Sequence, residues 1–246
     1  MTVIAYIVFT VYTVALTYIT AYCLLQFNLL YHYQKYRGNY AKLAAVPQLT
    51  NEELPFVTIQ LPIFNELYVV ERLVDNIMKL DYPKDKFEIH VLDDSTDETV
   101  EITRRKVEEY QKLGFNIEQI CREDRQGYKA GALKDGMRYA KGKFIAIFDA
   151  DFLPRKDFLR RTMPYFMNND KVGVVQTRWE HINQDYSLIT RLQALQLNVH
   201  FTVEQTGRKG GNFMLQFNGT AGVWRRDCIE DAGGWEADTL TEDLDL

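Results

Sequence analysis

Apolar and polar positions fall into two regimes along the chain. Residues 1–34 contain no Asp, Glu, Lys or Arg, and residues 3–30 are rich in Val, Ile, Leu, Ala, Phe and Tyr. About 20 apolar residues suffice to cross the hydrocarbon core of a bilayer, so this stretch predicts a transmembrane anchor over 1–34. It is longer than a signal-peptide core and no basic residue precedes it, which points to a retained helix rather than a cleaved leader. A buried core helix is the alternative, and is uncommon at this length in a domain of this size. Lys35, Arg37 and Lys42 follow the span while no Lys or Arg precedes it, so the positive-inside bias puts the carboxyl side in the cytoplasm. Tyr31, Tyr33 and Tyr36 suit the interfacial belt.

Residues 35–55 are mixed and polar, with Pro47 and Pro55 bracketing Thr50 to Glu53, and read as a linker. From residue 56 the periodicity alternates between strand and helix. Strands are expected at 56–61, 88–92, 117–121 and 144–148, and helices at 69–80, 100–113 and 130–140. Such a βαβ rhythm predicts an α/β fold over 56–246 with a mostly parallel, Rossmann-like sheet covered on both faces. Beyond 172 the pattern loosens: a strand at 172–177, helix over 186–205, a Gly-rich loop at 207–211 and a strand near 213–217. The last residues, TEDLDL, open a helix with no carboxyl-terminal cap, as expected of a fragment.

Composition narrows the function classes. The chain has 29 basic and 34 acidic residues and no long Lys/Arg run, which argues against a nucleic-acid partner. Cys23, Cys121 and Cys228 are widely spaced and odd in number, which fits a reduced compartment.

In open parallel sheets ligands bind beyond the carboxyl ends of the strands, and the polar residues cluster there, in LPIFNE, LDDSTDE and FDADF. Asp149 and Asp151 leave the apolar strand FIAIF directly. Their hard oxygens suit Mg²⁺ or Mn²⁺, which would neutralise a diphosphate leaving group; a simple turn or helix cap is the alternative. Asp93 and Asp94 end another strand, where they can bind base or ribose or approach the same metal, while Ser95 and Glu98 fit a capping box for the next helix. In RQGYKAG, residues 125–131, the helix amino terminus and Lys129 can hold phosphate oxygens. Thr241-Glu242-Asp243 taken alone reads as the acidic first turn of a helix.

The ordered set LPIFNE, LDDSTDE, GYKAGAL, FDADF, VQTRW, FNGTAGVWR and AGGWEADTLTED resembles family 2 glycosyltransferases of the glucomannan synthase-like and cellulose synthase-like type. That resemblance implies a GT-A catalytic domain behind a membrane helix, and inverting transfer of a hexose from UDP-glucose or GDP-mannose to a growing β-linked glycan. By position it implies Phe64, Glu66, Asp94, Lys129, Asp149 and Asp151 for the nucleotide sugar, with Asp149 and Asp151 on the metal. Asp243 matches the general base, Glu242 a supporting residue, and Asn218, Gly219 and Thr220 the acceptor-end loop. Trp179 and Trp224 are candidate sugar-stacking faces, with a core role as the default. The implied partners are a nucleotide sugar, a glycan acceptor and a lipid membrane, plasma or inner, or Golgi in a eukaryote. The family's QxxRW motif does not occur in these residues, so processivity stays open against transfer of one sugar to a lipid carrier. A catalytically inactive nucleotide- or glycan-binding membrane subunit is the third reading.

Overall fold

The computed structural model describes residues 2–43, 47–238 and 243, the side chains of 39–43 excepted. It divides into two compact units, one joining the N-terminal helix to residues 179–216, the other comprising 46–178 and 217–246.

In the first unit, α1 (Thr2–Leu43) is one continuous helix of 42 residues. At 1.5 Å per residue it is about 63 Å long, roughly twice a hydrocarbon core of about 30 Å. Helix therefore runs on through Lys35 and Arg37, where the sequence suggests a linker. Residues 2–38 are long and apolar enough to cross a membrane, and their side chains are not buried within the protein. After α6 (Leu188–Val199), whose amino terminus is closed by a Ser187/Thr190 capping box, a π-helical segment (His200–Gln205) leads into α7 (Thr206–Gly210). The expected Gly-rich loop is thus helix. Its glycines serve close packing against α1: a Cβ on Gly207 would lie 2.5 Å from the Leu29 carbonyl oxygen, and one on Gly210 2.8 Å from the Tyr36 ring. Small residues let helix backbones approach in this way.

The second unit is a six-stranded sheet in the order β3-β2-β1-β4-β6-β5. The strands are β1 (Val57–Ile63), β2 (Phe87–Asp93), β3 (Ile117–Cys121), β4 (Phe144–Ile147), β5 (Val174–Gln176) and β6 (Gly222–Arg225). The first four run parallel, and β6 enters antiparallel between β4 and β5. Helices α2 (Val70–Ile77), α3 (Thr99–Lys112), α4 (Tyr128–Gly136), α5 (Phe158–Met167) and α8 (Arg226–Asp231) complete the unit. The short strand β6 takes the place beside β4, and no strand forms at 213–217. Helix α5 is a further addition, since Pro164 interrupts the pattern, yet Phe158, Leu159, Thr162, Met163 and Phe166 fall on one buried face.

Alternation along β1 and β2 explains the layers. Val57, Ile59, Leu61, Phe87, Ile89 and Val91 enter the larger apolar core with α2 and α5, whereas Thr58, Gln60, Glu88 and His90 are buried between them in sequence. Alternate strand residues face opposite sides, so these four form a polar stripe on the other face. Glu88, 1% exposed, accepts hydrogen bonds at Oε1 from Thr58 Oγ1 (2.7 Å) and Lys141 N (2.6 Å). His90 Nε2 stands 3.8 Å and Lys141 Nζ 3.5 Å from its Oε2.

Burial pushes the Glu88 carboxyl up, but His90, the Lys141 N–H and the Thr58 hydroxyl outweigh it and hold the group at about 2, below the ordinary 4.5. A depressed carboxylate contributes stability above pH 4.5 that is lost as pH falls toward 2. At about 1.4 kcal/mol for each tenfold change in proton affinity, the contribution is on the order of 3–4 kcal/mol. Glu88→Gln is therefore expected to unfold more readily at pH 7, with the gap to wild type closing between pH 4.5 and 2. Thermal melts of both proteins across that range check it; a gap that does not change with pH would contradict the assignment.

Candidate functional site

The carboxyl ends of β1, β2 and β4 open on a cleft of about 330 Å³ whose lining includes Phe64, Glu66, Asp94, Lys129, Asp149 and Asp151. All six residues singled out for a nucleotide sugar meet there. Each is placed by a turn just beyond a strand, or, for Lys129, by the first turn of α4. The loop after β1 is fixed to the loop after β2 by Asn65, which adopts φ 55°. Asn65 N donates to Ser95 Oγ (2.9 Å), and Thr96 N donates to Asn65 Oδ1 (2.8 Å). Ser95 is thereby taken from the expected capping box; α3 begins at Thr99 with no side-chain cap at Glu98, and Asp97 Oδ1 accepts from Thr99 N instead (2.9 Å).

The Asp93–Asp94 pair divides its work. Asp93 is buried, accepting from Ser95 N (3.0 Å) and Gln119 Nε2 (2.8 Å), so it is part of the frame. Asp94 lines the cleft and is gripped by Arg122, whose Nε donates to Oδ1 (2.9 Å) and whose Nη2 donates to Oδ2. The same guanidinium donates to the carbonyls of Gln126 (2.9 Å) and Tyr128 (3.1 Å) and reaches Asp135 Oδ2 (3.5 Å). One arginine thus ties the ends of β2 and β3 to the start of α4. Beside it Arg125 lies 3.2 Å from the centre of the Phe64 ring and 5.0 Å from that of Tyr128, and its buried Nε has no hydrogen-bond partner among the described residues. A planar cation held on an aromatic face, with a spare donor, suits a base or a phosphate.

At the other end of the cleft the charge is negative. FDADF folds as a turn, with Phe152 N donating to Asp149 O (3.0 Å), and Phe148 packs on Phe152 and Phe158 beneath it. Desolvation first, then the charges of Asp151 and Asp149, raise the Glu66 carboxyl above its ordinary range. Lys129 Nζ stands 2.7 Å from Asp149 Oδ1, so a cation is already drawn into this field. Among the described residues no group of three or more His, Cys, Asp or Glu side chains is arranged to hold a metal. Two carboxylates alone suit a Mg²⁺- or Mn²⁺-type ion that completes its shell with substrate phosphates and water. The donor chemistry therefore fits such an ion.

The segment singled out for the acceptor comes to the same place. Because β6 is antiparallel, Gly222 pairs with Ile147 at the carboxyl end of β4, and the residues just before it are delivered to Asp149. Gly219 O accepts from Lys129 Nζ (3.1 Å), and Thr220 Oγ1 accepts from Asp149 N (3.0 Å). Gly219 has φ 69°, and a Cβ there would stand 3.3 Å from both Asp243 Oδ2 and Lys129 Nζ. Asp243 is therefore adjacent to this loop, whereas Glu242 lies outside the described residues. Trp224 is core, 7% exposed and edge-on to Phe217 and Trp235; Trp179 packs edge-on with His181 and Phe201 in the first unit. Arg122, Arg125 and Gln176 were not singled out by sequence reasoning. Arg125 and Gln176 stand within quoted motifs, RQGYKAG and VQTRW, and Arg122 lies just before one, but only tertiary geometry reveals their partners.

Replacing Arg122 by Lys keeps the charge and loses the fork. Since breaking a buried ion pair costs about 3–5 kcal/mol, Arg122→Lys is expected to lose roughly 2–4 kcal/mol of stability and most nucleotide affinity. Denaturant unfolding and nucleotide titration measure the two losses, and wild-type values in both would refute the role.

Comparison with known proteins agrees in kind. Residues 58–230 match the family described as Glycosyl transferase family 2. Glucomannan 4-beta-mannosyltransferase 1 of Oryza sativa subsp. japonica is 45% identical over 204 residues, 81% of this chain and 39% of that protein. Glucomannan 4-beta-mannosyltransferase 9 of Arabidopsis thaliana is 45% identical over 203 residues, 81% and 38% of the two chains. The chain thus spans about two fifths of the length of these relatives. The mannosyltransferase PcManGT from Pyrobaculum calidifontis, solved with GDP-Man and Mn²⁺, superimposes with a TM-score of 0.67 at 27% identity, covering 89% of this chain and 59% of that one. The sheet has the GT-A architecture. The family match runs from β1 into α8, and on that ground the chain belongs to glycosyltransferase family 2.

Proposed function

We propose that this chain carries the donor site and catalytic base of an inverting, divalent-metal-dependent glycosyltransferase that adds hexose units to a β-linked polysaccharide. The observation that carries this reading is the meeting of Asp149, Lys129 and Asp243 around Gly219, at the mouth of a cleft that also holds Phe64, Arg125 and Asp94. Mannosyltransferases among the relatives, and GDP-Man in the solved neighbour, favour GDP-mannose over UDP-glucose as donor. Mg²⁺ or Mn²⁺, held by Asp149 and Asp151, would supply positive charge against the diphosphate.

The chain's own residues account for the remaining steps. Phe64 and Arg125 offer a stacked surface for the base, and Asp94 an acceptor for base or ribose hydroxyls. Lys129 turns its ammonium from Asp149 toward the leaving diphosphate. The Asn218–Gly219–Thr220 loop receives the acceptor sugar, with Glu242 as a supporting acceptor-side residue, and Asp243 removes the proton of its attacking hydroxyl. That oxygen bonds to the anomeric carbon from the face opposite the diphosphate. The bond to the diphosphate breaks with its electron pair leaving on the phosphate oxygen, and configuration inverts. Helix α1 holds this domain at a membrane surface, on the cytoplasmic side by the charge bias after the span.

The test is transfer of radiolabel from GDP-mannose and UDP-glucose by the complete protein in membranes, with Mn²⁺ or Mg²⁺. Label is expected in polymer and lost on chelation. Asp243→Asn is expected to lower transfer by about 10²–10⁴-fold while leaving nucleotide binding within a few-fold, the range for removing a general base. Label in a single-sugar lipid would replace the polymer reading with transfer to a lipid carrier, and binding without transfer would leave a nucleotide-binding subunit.

A further inference from the structure

The loop that meets Lys129 and Asp149 is held from behind by a side chain that lines no part of the cleft. Gln176 ends β5. Its Oε1 accepts from Asn218 N (3.0 Å), and its Nε2 donates to the carbonyls of Thr220 and Thr177 (both 3.0 Å) and approaches that of Ala221 (3.4 Å). Thr177 adds its backbone N–H (3.1 Å) and hydroxyl (2.7 Å) to the Ala221 carbonyl. Two residues of this short stretch, Gly219 (φ 69°) and Ala221 (φ 55°), lie in the left-handed region. For Ala that conformation persists only when its surroundings impose it. The opposite side of the stretch presents the Gly219 carbonyl to Lys129 and the Thr220 hydroxyl to the Asp149 N–H.

We propose that Gln176 is a positioning residue: its amide sets the 218–221 loop, and through it the Lys129 ammonium and the Asp149 carboxylate, for the diphosphate and metal end of the donor. Building on the function proposed above, this assigns the alignment of that end to a residue outside the cleft. A primary amide is required because it supplies one acceptor and two donors in one plane; an ionised Glu cannot donate, and Met donates nothing and accepts only weakly. The base end of the cleft is built independently, from Phe64, Asp94 and Arg125 fastened by Asn65 and Arg122. The two ends therefore respond differently to loss of the amide.

The experiment is calorimetric titration of GDP and of UDP, with and without Mn²⁺, into the purified complete protein and its Gln176→Met and Gln176→Glu variants. Residues that orient a metal ligand contribute about 10–100-fold to metal affinity. Both variants are expected to lose about tenfold of the Mn²⁺-dependent gain in nucleotide affinity, with metal-free affinity unchanged. Thr220→Val, which removes only the acceptor for Asp149 N–H, is expected to lose the same gain, and keeps the test open if a Gln176 variant does not fold. An unchanged gain in all variants overturns the proposal, as does an equal loss of metal-free affinity, which would mean general distortion. A wild type with no Mn²⁺-dependent gain would overturn both this proposal and the metal reading it builds on.

Discussion

Arg122 is the constraint on which the cleft depends. Its five N–H groups are all directed at acceptors, two at Asp94, two at the carbonyls of Gln126 and Tyr128, and one reaching Asp135. Side-chain exposure at this pair is 11% for Arg122 and 5% for Asp94, so neither charge is well solvated and each depends on the other. A buried pair stabilises little compared with apolar packing, but it is costly to leave half-made. Its value here is geometric, because it permits one arrangement of the β2 end, the β3 end and the α4 amino terminus. Gly131 completes the lock: a Cβ there would run into the Gln126 carbonyl and come within 2.6 Å of Arg122 Nη1.

The Asp149–Asp151 end of the cleft holds an imbalance of negative charge. Desolvation first, and then the charges of Asp151 and Asp149, lift the Glu66 carboxyl. Lys129 offsets part of that field through Asp149. A folded chain tolerates such crowding where other contacts impose it, which is characteristic of functional sites. The sheet supplies the imposition: Phe148 is fully buried against Phe152 and Phe158, so the turn carrying the two aspartates has little freedom.

The parallel half of the sheet was legible because its strands are short runs that are either continuously apolar or alternate apolar with polar. FIAIF and the alternating VTIQL and FEIHV mark β4, β1 and β2 within a residue or two. Asp94, Asp149 and Asp151 were legible as candidates because they immediately follow those runs, and Lys129 because it opens a helix, whereas Phe64 and Glu66 came only with the family resemblance. Helix α5 was hidden by Pro164, and β6 by its four-residue length. Gly207 and Gly210 look like loop residues until α1 is present to occupy the space they leave. Within LDDSTDE, local spacing suggested a capping box, but Asn65, about 30 residues earlier in the chain, claims Ser95. Long-range partners of this kind leave no local pattern, and the same holds for Arg122, Arg125 and Gln176.

One topological choice explains how a late segment reaches a site built from early strands. Had β6 run parallel to β4, its first residue would lie at the amino end of the sheet, far from Asp149. Running antiparallel, it pairs Gly222 with Ile147 and Arg225 with Phe144, so the loop before it arrives at the Asp149–Asp151 turn. Insertion of β6 between β4 and β5 also makes Gln176 a direct neighbour, since Gln176 pairs with Gly222 across the sheet. The Asp149 turn, the 218–221 loop and the Gln176 amide behind it thus lie at adjacent register positions of three strands. Displacing β6 by one residue relative to β4 would turn its side chains to the other face and carry the Gly219 carbonyl and Thr220 hydroxyl away from Lys129 and Asp149 together. The burial of Val223 in one core and Trp224 in the other holds that register.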